Sequence, residues 1–124
     1  MRVLGMTVAL ASLVLLTFGP GAAQPVSPLV TDWDRFFTIQ SSPVTVGGRS
    51  VATIWNTSGW GASRIQLLVE ALDAGGQPVS QRVIWLGTDL PAGTRTHFET
   101  PVPAAASYRV RVFAFDLDLT SGPR

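Results

Sequence analysis

Catalysis and metal binding need titratable, nucleophilic or ligating side chains that converge on one place. This chain offers few of them. It has one histidine, His97, and no cysteine, so a histidine-based triad would need a serine nucleophile and an acid brought to His97 by the fold. No GxSxG elbow occurs. Arg95, His97 and Glu99 alternate with Phe98, which predicts a solvated histidine on the outward side of a strand. Zinc would lack its usual nitrogen and sulfur ligands. Two Asp-x-Asp pairs, Asp32 with Asp34 and Asp116 with Asp118, would each point to one side of an extended chain. Calcium needs about six to eight oxygens, and neither pair has the further Asp, Asn and Gly spacing of a loop site. Both are expected to be solvated strand ends, and nothing in the sequence supports them as glycosidase carboxylates. No GxxxxGK or GxGxxG motif appears, and Gly47 with Gly48, and Gly75 with Gly76, read as turns. The expectation is a protein that is not an enzyme and holds no cofactor or metal.

Binding chemistry is better represented. Four tryptophans, Trp33, Trp55, Trp60 and Trp85, stand in a chain of 124 residues. Trp55 alternates against the inward candidates Ala52 and Ile54, and Trp60 sits between Gly59 and Gly61 with little local cover. Exposed aromatic rings stack on sugars or anchor a partner protein, and they also cap the open ends of a core. The candidate partner-binding residues are Trp55, Asn56, Trp60 and Arg64, with Trp60 as anchor and Trp55 beside it. Asn56, Thr57 and Ser58 match an N-glycosylation acceptor; the preferred reading is a turn in which the asparagine bonds its own backbone.

The start of the chain says where these residues work. Arg2 precedes an uncharged apolar stretch, residues 3–18, that ends in the helix-breaking Gly19, Pro20 and Gly21, which is the layout of a secretory signal peptide. Small residues at Gly21 and Ala23 place the cut after Ala23; the alternative is an uncleaved anchor, although a membrane-spanning helix needs about 20 residues. Cleavage leaves 101 residues and, by removing Arg2, takes the formal charge from +1 to 0. The remaining arginines are scattered, so no basic cluster is available for nucleic acid or anionic lipid. The expected location is periplasmic or secreted, with membrane contact during export only. Without cysteine, stability must come from an apolar core.

Positioning such side chains falls to strands. Residues 24–32 hold Pro25 and Pro28 and are expected to form an extended leader. From residue 33, short runs rich in Val, Ile, Phe and Trp alternate with Gly, Pro, Asn and Ser clusters, the pattern of an all-β sandwich. Strands are expected at 33–40, 49–56, 64–72, 78–87, 94–100 and 107–116. The domain spans 33–120, with a tail at 121–124. In the third run Ile65, Leu67, Val69 and Ala71 share one face while Arg64, Gln66 and Glu70 share the other; Leu68 and Leu72 on the polar side predict a central strand partly covered on both faces. Asp73, Gly75 and Gly76 predict a tight hairpin, and Pro91 with Gly93 a second turn. Tyr108, Val110 and Val112 alternate inward, after which the bulky positions shift to Phe113, Phe115 and Leu117, which predicts either a bulge that restores the phase or a change in which face is covered near the strand's end. In the fourth run, either the face of Val79, Val83 and Trp85 or that of Ile84 and Leu86 could point inward. The predicted core is Ala52, Ile54, Ile65, Leu67, Val69, Phe98, Val110 and Val112.

The order of landmarks from residue 52 onward resembles the FxLYD domain family of exported prokaryotic proteins. ATIWNTSG at 52–59 is similar to that family's strand ending in an Asn-Thr-Ser turn, VEALDAGGQPV at 69–79 to its aspartate turn and return strand, LPAGTRTHF at 90–98 to the next turn, and YRVRV at 108–112 to the strand after it. At the naming motif the chain has Val69, Ala71 and Leu72 and keeps Asp73. The sandwich domains of late-embryogenesis-abundant and desiccation-response proteins are a related possibility. The resemblance implies a single antiparallel immunoglobulin-like β-sandwich of six to seven strands. It also implies an interaction or assembly module of the cell envelope, with no established catalytic site. The expected partner is an envelope protein; the alternative is a polysaccharide, bound by a carbohydrate-binding module through exposed tryptophans.

Overall fold

Alternation of apolar and polar residues gives this chain strands, and the turns between them decide how the strands stack. A computed structural model of the protein describes the backbone of residues 14–17 and all of residues 25–119. Its strands are β1 (Val14–Thr17), β2 (Phe37–Ser41), β3 (Arg49–Asn56), β4 (Gly61–Leu72), β5 (Pro78–Trp85), β6 (Arg95–Pro101) and β7 (Ser107–Asp118). One sheet runs β2-β3-β6; the other runs β5-β4-β7, with β1 added at the edge of β5. All pairings are antiparallel, and the two sheets form a β-sandwich. The cleavage position after Ala23 and the tail 121–124 lie outside the described residues. Among the described residues no helix is long and apolar enough to cross a membrane.

The eight predicted core residues all lie in the cluster between the sheets, joined by Phe37, Ala62, Ile84 and Leu90. β4 is central and buried on both faces over its second half, as its apolar intrusions predict. In β5 the open choice resolves: Ile84 and Leu86 pack on the core, while Val79 and Trp85 stay exposed at 37% and 42%. The bulge is present too. Gln66 pairs with Ala114 while Leu67 pairs with Val112, so Phe113 is the extra residue, and past it Phe115 and Leu117 turn inward. A compensating extra residue in β4, between Ser63 and Gln66, takes Arg64 to a φ of +48°.

The start of the domain needs correction. Trp33–Arg35 is a 3₁₀ turn rather than the beginning of a strand. Side chains three apart eclipse in such a turn, so Trp33 and Phe36 fall on one side and both pack against the core. An extended chain would have sent them to opposite faces. Asp32 accordingly precedes a turn that contains Asp34, and pairs with Arg35 at 3.3 Å. At one corner the Tyr108 hydroxyl donates to the Pro103 carbonyl at 2.7 Å, the arrangement that ties a strand to the loop preceding it in many sandwiches.

Candidate functional site

β3 lies in the middle of its sheet, and its odd-numbered residues face solvent. Trp55 therefore sits on the outer surface, between Thr38 of β2 and Arg95 of β6. The Arg95 guanidinium lies 5.3 Å from the Trp55 ring centre, a distance at which the ring quadrupole attracts the cation. The next row outward holds Gln40, Thr53 and His97. His97 is exposed, with its Nε2 3.5 Å from Glu99. Glu99 itself accepts from Arg49 Nε at 2.9 Å. The sequence marked Trp55 from alternation alone. It could not mark Arg95 and Thr38, because cross-strand register depends on turns far from either residue.

Asn56 ends β3 with its side chain fully buried. Its Nδ2 donates to the carbonyls of Trp60 at 2.7 Å and Leu90 at 2.8 Å. Its Oδ1 accepts from the backbone N–H of Ser58 at 2.9 Å and from the Ser58 hydroxyl at 2.7 Å. The asparagine thus closes its own turn, as the sequence reading preferred, and also ties that turn to the loop before β6. Trp60 N–H donates to Ser58 Oγ at 3.1 Å, so the Trp60 backbone is held while its side chain stays partly exposed. Arg64 is exposed and pairs with Asp116 of β7, its Nε lying 2.6 Å from the carboxylate. The four candidates therefore divide. Trp55 and Trp60 present aromatic surface, Asn56 holds the loop from within, and Arg64 pairs with the neighbouring strand β7 of its own sheet.

A charged cluster on the outer face of β4 was not legible from residue spacing. Glu70, placed by alternation on a polar side, is fully buried. Arg109 meets it through Nε at 2.8 Å and Nη2 at 3.2 Å, Arg111 through Nε at 3.0 Å, and Gln81 Nε2 donates to it at 2.9 Å. Gln81 also clasps the leader: its Oε1 accepts from Val26 N–H and its Nε2 donates to the Val26 carbonyl, both at 2.8 Å. Farther on, Leu29 N–H donates to the Phe113 carbonyl at 2.8 Å. The leader crosses from Gln81 of β5 to Phe113 of β7, without regular structure over residues 25–28 and with a bend and turn over 29–32. On the opposite face of the same sheet Arg82 spans the sandwich to Pro101 and Thr100. Burial, and then nearby Arg49, push its guanidinium below the ordinary arginine value.

What this arrangement can do chemically is present a ring, a cation and several hydroxyl and amide groups on a flat face. Three of the carboxylates are engaged separately: Glu70 inside, Glu99 with Arg49, and Asp116 with Arg64. No family model, curated protein or solved structure matches the chain.

Proposed function

We propose that this protein is an exported, non-enzymatic β-sandwich module, similar in kind to FxLYD domains, that binds a protein partner in the cell envelope. The observation that carries this reading is Trp55. A large ring on the solvent side of a central strand, bracketed by Arg95 at 5.3 Å, is the composition from which protein-interface anchors are made, because tryptophan and arginine dominate such contacts. Trp60, on a loop locked by Asn56 and Ser58, adds a second ring on a rigid mount. Rigid mounting matters because ordering a mobile loop would oppose binding.

A polysaccharide is the second reading, and the row of Gln40, Thr53 and His97 beside the Trp55 ring favours it. Sugars stack on a ring and take hydrogen bonds from neighbouring polar side chains. Affinity capture from envelope extract with wild-type protein and with Trp55→Ala separates the two. The proposal expects a protein that the wild type retains and the variant loses; capture of glycan with no Trp55-dependent protein would favour the second reading. Turnover of any substrate that His97→Ala abolishes, with the fold intact, would overturn both.

A further inference from the structure

A sheet edge is a row of backbone N–H and C=O groups without partners, and proteins guard such rows with charge, proline, brevity or a covering segment. β2 is five residues long. β6 carries Arg95, His97 and Glu99 on its exposed side and ends at Pro101. The free side of β7 is met twice: Tyr108 N–H donates to the Pro43 carbonyl at 3.0 Å, and Leu29 N–H donates to the Phe113 carbonyl at 2.8 Å. β5 differs. Its one charged residue, Arg82, turns inward to Thr100 and Pro101, and Pro78 stands only at its first position. Its outward residues are Val79, Gln81, Val83 and Trp85, none of them charged. What lies along this edge is β1, antiparallel, from Val14 opposite Val83 to Thr17 opposite Ser80.

We propose that in the exported protein the edge of β5 is a strand-acceptor site, filled by an extended, uncharged, aliphatic segment of a protein partner in the place that Val14–Thr17 holds. The inference rests on the export reading, since cleavage after Ala23 removes β1 and uncovers Ser80 to Val83. The register of β1 shows the edge accepting such a strand: Val, Leu, Leu and Thr in succession, with no charge. Main-chain hydrogen bonds give affinity in strand addition, and alternate side chains give selectivity. Val79 and Trp85, exposed at the two ends of β5, disfavour a charged segment and favour an apolar one.

The test uses the exported, isotopically labelled protein, with cleavage verified by intact mass, and a peptide carrying residues 12–19 with lysines added at its ends for solubility. Amide exchange across residues 80–83 should slow by about tenfold or more at saturating peptide, as expected for edge amides that acquire partners. A peptide with Leu15→Pro should give no protection. Unchanged exchange at β5, or equal protection by the proline peptide, would overturn the proposal. So would an intact mass that retains residues 1–23. A dimer with β5 already protected would assign the edge to a second copy instead. Trp55-dependent capture of a partner is read separately, so the strand site can fail while the interaction module stands.

Discussion

Asn56 is the residue on which the aromatic loop depends. Four hydrogen bonds converge on a side chain with no solvent exposure, so Asn56→Ala would take the acceptor from the Ser58 N–H and leave the carbonyls of Trp60 and Leu90 with one donor each, Ser58 Oγ and Ala62 N–H. Unsatisfied buried polar groups cost about 1–3 kcal/mol each, and thermal unfolding should show a loss of at least about 2 kcal/mol. A loss under about 0.5 kcal/mol would mean that water replaces the amide without penalty. Glu70 predicts a larger effect. Both Arg109 and Arg111 point at this buried carboxylate, and removing one partner of a buried ion pair typically costs about 3–5 kcal/mol. Glu70→Ala should therefore lower stability in that range, and denaturant unfolding measures it directly.

Elements were legible where a local signal determined them. Gly47 and Gly48 show why: both have positive φ, and Val46 and Arg49 exchange hydrogen bonds across them, which is the two-residue turn that suits a hairpin's twist. Asp73 is similar, its Oδ1 accepting from Gly75 and Gln77 N–H, both at 2.9 Å. The phase slip after Val112 announced its bulge. Trp33–Arg35 was misread because apolar residues three apart, Trp33 and Phe36, occur in a stretch too short to show a helical period. Glu70 sits on the face that alternation assigns it, but its partners were not legible, because alternation tells which face a residue takes and not that a distant leader and two arginines will cover that face. Trp55 was visible and its partner Arg95 was not, because register is a tertiary property. At this scale Leu67→Ala, at the centre of β4 and fully buried, should cost about 2–5 kcal/mol. Arg64→Gly, by contrast, should be neutral or stabilising by up to about 1 kcal/mol, since glycine adopts positive φ freely and the exposed pair with Asp116 is worth little.

In the molecule as a whole, two sheets face each other, a leader is strapped across one of them and Trp55 stands on the outer face of the other. The leader is pinned at Val26 and Leu29, so the part of the chain that would follow an export cleavage belongs to the folded body. Gln81→Ala removes the Val26 clasp and one donor to Glu70; proteolysis at residues 25–30 should become faster while the far sheet keeps its exchange protection. In the proposed function Trp55 is a contact residue and not a packing residue. The most direct measurement is the affinity of the captured envelope partner for wild-type protein and for Trp55→Ala, taken together with the melting curve of each. Stability should change by no more than about 1 kcal/mol, the scale of an exposed cation–π pair, while partner binding should weaken by about 2 kcal/mol or more. Unchanged affinity, or a collapse in stability that accounts for the loss of binding, would contradict it.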